Sequence, residues 1–339
     1  MALGDVLKSN VFNPRKNIAF ILWVVFFCYS VCAALIFQKL LLPLIPSMHA
    51  GGGLLSNDAI YFDSVASALA DSIRLNGWSS WQLYPAVGAV GNVAILGALY
   101  VFFGHDPALV IPVNAAIHAL GGMLIYQISR EISGKQLIGT YAGVVAATLF
   151  VIFPSALNWY AQIHKDGYAI AGMLLIFWTW VKVLNEQYNF HGLLTLTLSQ
   201  LAGVLLIASV RPYGLKLLIV ATLMVCAILV INALLRRQLL QQLKPIMFFL
   251  ISVIILASTL KILPATDTAK LGESYLNWQD VNGVWQWKKS PLLPDSIEGY
   301  VELTAKTRAG MIDYGVREKA KSMIDVDVKP QNIEEVVLF

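Results

Sequence analysis

Three short clusters in this 339-residue chain carry side chains that can move protons or hold anions. The first is Asp58, in Ser56-Asn57-Asp58-Ala59-Ile60-Tyr61-Phe62, where an apolar pattern of helical spacing begins. Aspartate is a preferred helix N-cap. A carboxylate facing water is equally a general base for a hydroxyl, and the two roles are compatible. Asp63 lies five residues on, about 140° around a helix, so the two carboxylates do not share a face. Asp63 reads as a residue of the solvated face.

The second cluster is His164-Lys165-Asp166, just after Trp159-Tyr160. The aromatics fit an interfacial belt, and Lys165 with Asp166 fits an ion pair at a helix start. Three adjacent ionisable groups in a short loop also suit an anion site, with the cation on a phosphate and Asp166 orienting it or a metal. The third cluster is Arg211-Pro212-Tyr213, a tight turn between apolar runs. Arginine at a span end can snorkel to headgroups, yet its planar fork also matches phosphate. Converging with Lys165, Arg211 would form a pocket for a lipid-linked phosphate or pyrophosphate. His118 and Asn114 lie inside an apolar run and read as hydrogen-bonded core residues. His105-Asp106 reads as a turn, and His49 has no identifiable metal-ligating partners. No nucleotide-binding motif of the Walker or Rossmann type is present.

The elements that must position these residues are set by hydropathy. The chain is 58% hydrophobic and 13% charged, with a mean hydropathy of +0.67. Soluble domains carry about a quarter charged residues, so lipid must be the solvent for much of this surface. The net charge of +4 includes no long basic run, which leaves nucleic-acid binding without support. Cys28, Cys32 and Cys226 all sit in apolar runs, without disulfide or zinc spacing. Apolar runs at 18–45, 108–128, 138–153, 168–184, 193–210, 215–234 and 246–263 are long enough to span. The first is too long for a signal-peptide core and reads as an uncleaved anchor.

A further run at 87–103 is apolar enough on hydropathy alone, and charge placement decides against it. Without it, Lys8, Arg15, Lys16, Arg130, Lys135, Lys182, Arg236, Arg237 and Lys244 share the N-terminal side. Arg74, Lys165, Arg211 and Lys216 face the other, as the positive-inside rule requires. If 87–103 crossed, two basic clusters would move outside. The expectation is an all-α polytopic protein of about seven spans with a cytoplasmic N-terminus. Its first outer loop, 47–107, is of a length usually reserved for function. That loop carries an amphipathic helix from Asp58 to about Ile73, expected to lie on the membrane, and an interfacial or re-entrant helix at 87–103. Beyond the 1–263 module, the tail 264–339 is polar, contains Trp278, Trp285 and Trp287, and is expected outside. Its apolar ending Val336-Val337-Leu338-Phe339 predicts a further span beyond the sequence.

These residues resemble the GT-C glycosyltransferases, in the branch of protein mannosyltransferases (glycosyltransferase family 39) and aminoarabinose transferases. The likeness runs over about residues 15–260. It is carried by Asp58 before Tyr61-Phe62, Ala66 and Ala70, by Tyr84-Pro85, and by Leu99-Tyr100-Val101-Phe102-Phe103-Gly104. Asn114, Leu124-Ile125-Tyr126-Gln127-Ile128-Ser129-Arg130 with Gly134, and Pro154 continue it. The resemblance implies an inner (plasma) membrane enzyme that transfers a sugar from a polyprenyl-phosphate donor to a glycan, lipid or protein acceptor outside. It implies Asp58 as catalytic base, and His164-Lys165-Asp166 matches the region of the second outer loop where the family places a functional acidic residue. The residues' own chemistry puts Lys165 and Arg211 on the donor phosphate, with Asp166, His164 and Tyr213 in support. Asp58 stands alone where the family carries an adjacent acidic pair, so use of a divalent metal stays open. Two rival readings are a flippase or transporter for lipid-linked saccharides and a non-catalytic subunit of an export complex.

Overall fold

The structure is a computed structural model that describes residues 14–55, 58–86, 89–185, 188–237 and 239–263, with short stretches between 286 and 332. Lys8, Trp278, Trp285 and the apolar ending 336–339 lie outside the described residues. The chain divides into two compact units, Met1–Pro264 and Ala265–Phe339. Within the second, Glu298 is buried and accepts the indole N–H of Trp287 at 3.3 Å.

The first unit is helical among its described residues. Helix α1 spans Pro14–Ile36 and runs on through a π turn, Phe37–Leu41, and a 3-10 turn, Leu42–Leu44. Helices α2 (Asp58–Asn76) and α3 (Gly91–Phe103) occupy the first loop. There follow α4 (Ile111–Ile132), α5 (Leu137–Ile152), the single turn α6 (Leu157–Ala161) and α7 (Asp166–Asn185). Helices α8 (Phe190–Val210), α9 (Gly214–Leu235) and α10 (Leu239–Ile262) complete the unit. Among the described residues, six helices are long and apolar enough to cross a membrane, or seven if Leu137–Ile152 and Pro154–Ala161 form one span bent by 55°. The chain is thus a multi-pass membrane protein that is helical among its described residues. The bend has a local cause: Pro154 cannot donate to the helix ladder and holds Phe153 in extended backbone.

Helix α4 is the hub, packed on α1, α5 and α7, while α7 packs on α8 and α10 joins α8 and α9. Many large apolar side chains on the outer faces are exposed, among them Leu217, Ile228, Ile254 and Leu149, as a lipid-facing surface requires.

Run 87–103 forms α3 over 13 residues, about 20 Å at 1.5 Å per residue, too short for a hydrocarbon core about 30 Å thick. Its partner α2 departs from expectation. The α2 stripe of Ala59, Phe62, Ala66, Leu69, Ala70 and Ile73 is buried, and it packs on Val93, Leu96 and Tyr100 of α3 and on Ile163. The apolar face is therefore spent on protein, and α2 does not use it to lie on the bilayer. The pairing is close: a Cβ on Gly97 would stand 3.1 Å from the Ala66 carbonyl oxygen.

Candidate functional site

The site is built by a close crossing of α7 and α8. A Cβ on Gly172 would fall 2.8 Å from the carbonyl oxygen of Gly203, and one on Gly203 would fall 2.9 Å from that of Gly172. The two backbones touch where any side chain would wedge them apart. From this contact α7 runs back to its first residue, Asp166, and α8 runs forward to its end at Val210. The chain then turns at Arg211-Pro212-Tyr213, where the Gly214 N–H donates to the Arg211 carbonyl at 2.8 Å. The crossing thereby brings Asp166 and Arg211 together across 45 residues of sequence, and an Arg211 Nη donates to the Asp166 carboxylate. The other Nη donates to the Tyr213 hydroxyl at 3.2 Å.

Asp166 therefore pairs with Arg211 and leaves its sequence neighbour Lys165 aside. Burial works against the guanidinium charge, and the bonds to Asp166 and Tyr213 outweigh it, holding the Arg211 pKa above the ordinary arginine value. Lys165 makes no ion pair among the described residues, and its ammonium lies 6.0 Å from the ring centroid of Phe62. Its pKa is lowered, first by burial and then by the nearby Arg211 charge, with Asp166 and Asp58 opposing. Burial also lowers His164, against the pull of Asp166 and Asp58. Asp58 opens α2, is exposed, and enters no hydrogen bond among the described residues. The structure thus gathers Asp58, His164, Lys165, Asp166, Arg211 and Tyr213 at one end of the bundle.

Two residues that hold this arrangement are not singled out by the sequence. Gln162 is fully buried. Its Oε1 accepts the Leu55 N–H at 2.9 Å, and its Nε2 donates to the Gly53 carbonyl at 3.1 Å. Its own carbonyl accepts from Asn114 at 2.8 Å, and Tyr168 donates to the Asn114 amide oxygen at 3.0 Å. Gln162 thus pins the strand leading to Asp58 beside the one leading to Lys165. Gln38, in the π turn of α1, is also buried and donates to the Ala161 carbonyl. The other side of the loop is held by Tyr84, which donates to the Ala208 carbonyl at 2.6 Å; burial pushes its pKa up to about 12, so it remains a donor. The observation that could have flagged both glutamines is a lone amide inside or beside an otherwise apolar run.

Asp63 is corrected. Its side chain is 16% exposed and takes no part in a solvated face. It accepts from the Tyr100 hydroxyl at 2.5 Å, and His105 Nε2 lies 3.1 Å from each of its oxygens. Burial and the neighbouring carboxylate both raise the Tyr100 pKa. His105-Asp106 does form a turn, since Asp106 accepts the Ala108 N–H at 2.9 Å. His105 nonetheless has this second engagement.

No group of three or more His, Cys, Asp or Glu among the described residues is placed to hold a metal ion. Asp166 is occupied by Arg211, so the donor set here does not suit a divalent cation. No protein-family model, curated protein or solved structure matches this chain.

Proposed function

We propose that the chain is a GT-C-type glycosyltransferase of about seven spans, lying in the inner (plasma) membrane with its N-terminus cytoplasmic and its site on the extracytoplasmic face. It transfers a sugar from a polyprenyl-phosphate donor to a hydroxyl of a glycan, lipid or protein acceptor. The observation that carries this reading is that an exposed carboxylate, Asp58, lies near enough to an ammonium with no ion-pair partner among the described residues, Lys165, to influence it, at the end of the bundle where apolar helices begin and end. A lipid-borne phosphate reaches such a position from the bilayer without any nucleotide site.

In the reaction, Asp58 takes the proton of the acceptor hydroxyl. The acceptor oxygen forms the new bond to the anomeric carbon from the face opposite the phosphate. The bond from that carbon to the phosphate oxygen breaks, and its electron pair leaves with the polyprenyl phosphate. Lys165 and the remaining donor capacity of Arg211 stabilise the charge that develops there, while Asp166 and Tyr213 hold the Arg211 fork and His164 walls the pocket. Removal of a base of this type costs about 10²–10⁴-fold in rate.

The test is transfer of a radiolabelled sugar from a polyprenyl phosphate by the full chain in lipid nanodiscs. Asp58→Asn is expected to slow turnover about 10²–10⁴-fold while donor binding persists, and Lys165→Ala to weaken donor binding. Equal transfer by wild type and both variants would remove the base and the phosphate site together.

A further inference from the structure

Asp58 and Asp63 stand on opposite flanks of the buried stripe of α2, and the Asp63 flank opens on a cavity of its own. The cavity has a volume of about 410 Å³ and is lined by Lys39, Gly51, Gly52, Ile60, Asp63, His105 and Asp106 among others. Lys39 lies five residues before the end of the first span, Ile18–Leu44, and Asp106 immediately precedes the second, Pro107–Ile132, so the cavity lies close to the span ends.

Its chemistry differs in sign from that of the Lys165 side. Two carboxylates, Asp63 and Asp106, face one ammonium, and that ammonium is already 3.3 Å from Asp106. A phosphate entering here would meet more negative charge than positive. The Asp106 pKa is depressed: burial would raise it, but the Ala108 N–H and Lys39 outweigh that. An uncharged polyhydroxylated group meets complementary partners instead, because each hydroxyl can donate to a carboxylate and accept from an ammonium or imidazole. Asp63 occupies the His105 Nε2, which leaves Nδ1 as the ring atom available to a ligand. Ile60 and Leu54 supply an apolar wall for the carbon face of a sugar. Gly51 and Gly52, both at positive φ (101° and 62°), also line the cavity without a side chain, and a Cβ on Gly51 would meet nothing within 4 Å.

We propose that this cavity binds a neutral, vicinally hydroxylated moiety, a sugar unit held by Asp63, His105, Asp106 and Lys39. On the transferase reading, on which this assignment as an acceptor subsite rests, it receives a sugar of the acceptor away from the reacting hydroxyl. Asp58 and Asp63 are offset by about 7.5 Å along the helix axis and about 140° around it, so a sugar in this cavity sits away from the reacting hydroxyl. The moiety can be part of a soluble glycan or the headgroup of a neutral glycolipid.

The experiment uses the full chain in phosphatidylcholine nanodiscs. Saturation-transfer NMR is recorded with neutral di- and trisaccharides and with inorganic phosphate, and diethylpyrocarbonate labelling of His105 is read by mass spectrometry. Saccharide signal is expected for wild type, reduced at least fivefold by Asp63→Asn and by His105→Gln. Ile60→Trp, at an exposed position where the larger ring fills the cavity without touching the hydrogen-bonded network, is expected to reduce it equally. Protection of His105 by soluble trisaccharide assigns a glycan source, and protection only by a glycosyl diacylglycerol built into the disc assigns a lipid headgroup. Signal unaffected by Ile60→Trp, or protection by neither saccharide nor glycolipid, overturns the proposal, as does competition by phosphate. Saccharide binding without sugar transfer would sink the transferase reading and leave the cavity assignment standing, whereas transfer with no saccharide binding would do the reverse.

Discussion

Replacing Gln162 with leucine tests the mechanical claim that one buried amide sets Asp58 against Lys165. Leucine fills a similar volume and leaves the backbone carbonyl that accepts from Asn114 untouched. The variant loses two side-chain bonds, from the Leu55 N–H at 2.9 Å and to the Gly53 carbonyl at 3.1 Å. Each has a net worth of about 0.5–1.5 kcal/mol, and a buried group left unpaired costs about 1–3 kcal/mol. Gly53 is buried and cannot turn freely to water, whereas Leu55 is partly exposed and can. A total of about 2–4 kcal/mol follows, which falls on local docking of the loop more than on the bundle. At about 1.4 kcal/mol per decade, the Leu55 amide should exchange about 30- to 700-fold faster. Hydrogen exchange in nanodiscs, read on peptides covering 49–62, measures this directly. Amides of α4 and α7 should keep their wild-type protection. Unchanged exchange at Leu55 would refute the reasoning, since the loop would then be held by something other than Gln162.

Two further outcomes follow from the same geometry. Gly203→Ala places a methyl 2.9 Å from the Gly172 oxygen and should destabilise by about 1–3 kcal/mol; Gly214→Ala, whose Cβ meets nothing nearer than 3.6 Å, should leave the thermal midpoint in detergent nearly unchanged. The His164 imidazole is held below its ordinary value of 6.5, so below that pH the unfolded chain binds a proton that the folded one does not. Its contribution is lost as pH falls through about 6.5 towards the folded value, and His164→Gln should flatten the thermal midpoint over that acid limb.

What was legible in the sequence is what depends on long-run averages. Runs of apolar residues located six candidate spans, the seventh, at 138–153, being one only if the bent pair Leu137–Ile152 and Pro154–Ala161 crosses together. Basic residues argued against 87–103, where the structure has a 13-residue helix. The helical spacing after Asp58 was legible for the same reason. What the α2 stripe packs against was not, because apolar periodicity identifies a buried face and is silent on whether lipid or protein covers it. Asp63 was misread through that gap. Once α3 covers the stripe, its flank carries Tyr100 and His105 into reach, 37 and 42 residues away in sequence. Gln162 is a still longer case, since its partners lie 107 and 109 residues off and no local pattern encodes them. The ionisable clusters were legible as clusters. Their pairing was not: adjacency suggested Lys165 with Asp166, and the glycine crossing of α7 and α8 selects Arg211 in its place.

That exchange of partners has a consequence for charge on the transferase reading. Two cations, Lys165 and Arg211, lie close enough for the second to depress the first, and without compensation the pair would be costly to hold together. Asp166 offsets Arg211 and fixes its fork. With His164 neutral, Lys165 and Asp58 then balance. When Asp58 takes the acceptor proton, its negative charge is lost just as charge grows on the departing phosphate oxygen. The pocket gains one unit of positive character as the proton moves, and has none of it in the complex before. An electrostatic gain confined to the transition state raises turnover without tightening the ground-state complex. Had Asp166 paired with Lys165 instead, the ammonium would face the leaving group already neutralised, and the proton transfer at Asp58 would have no free cation to unmask.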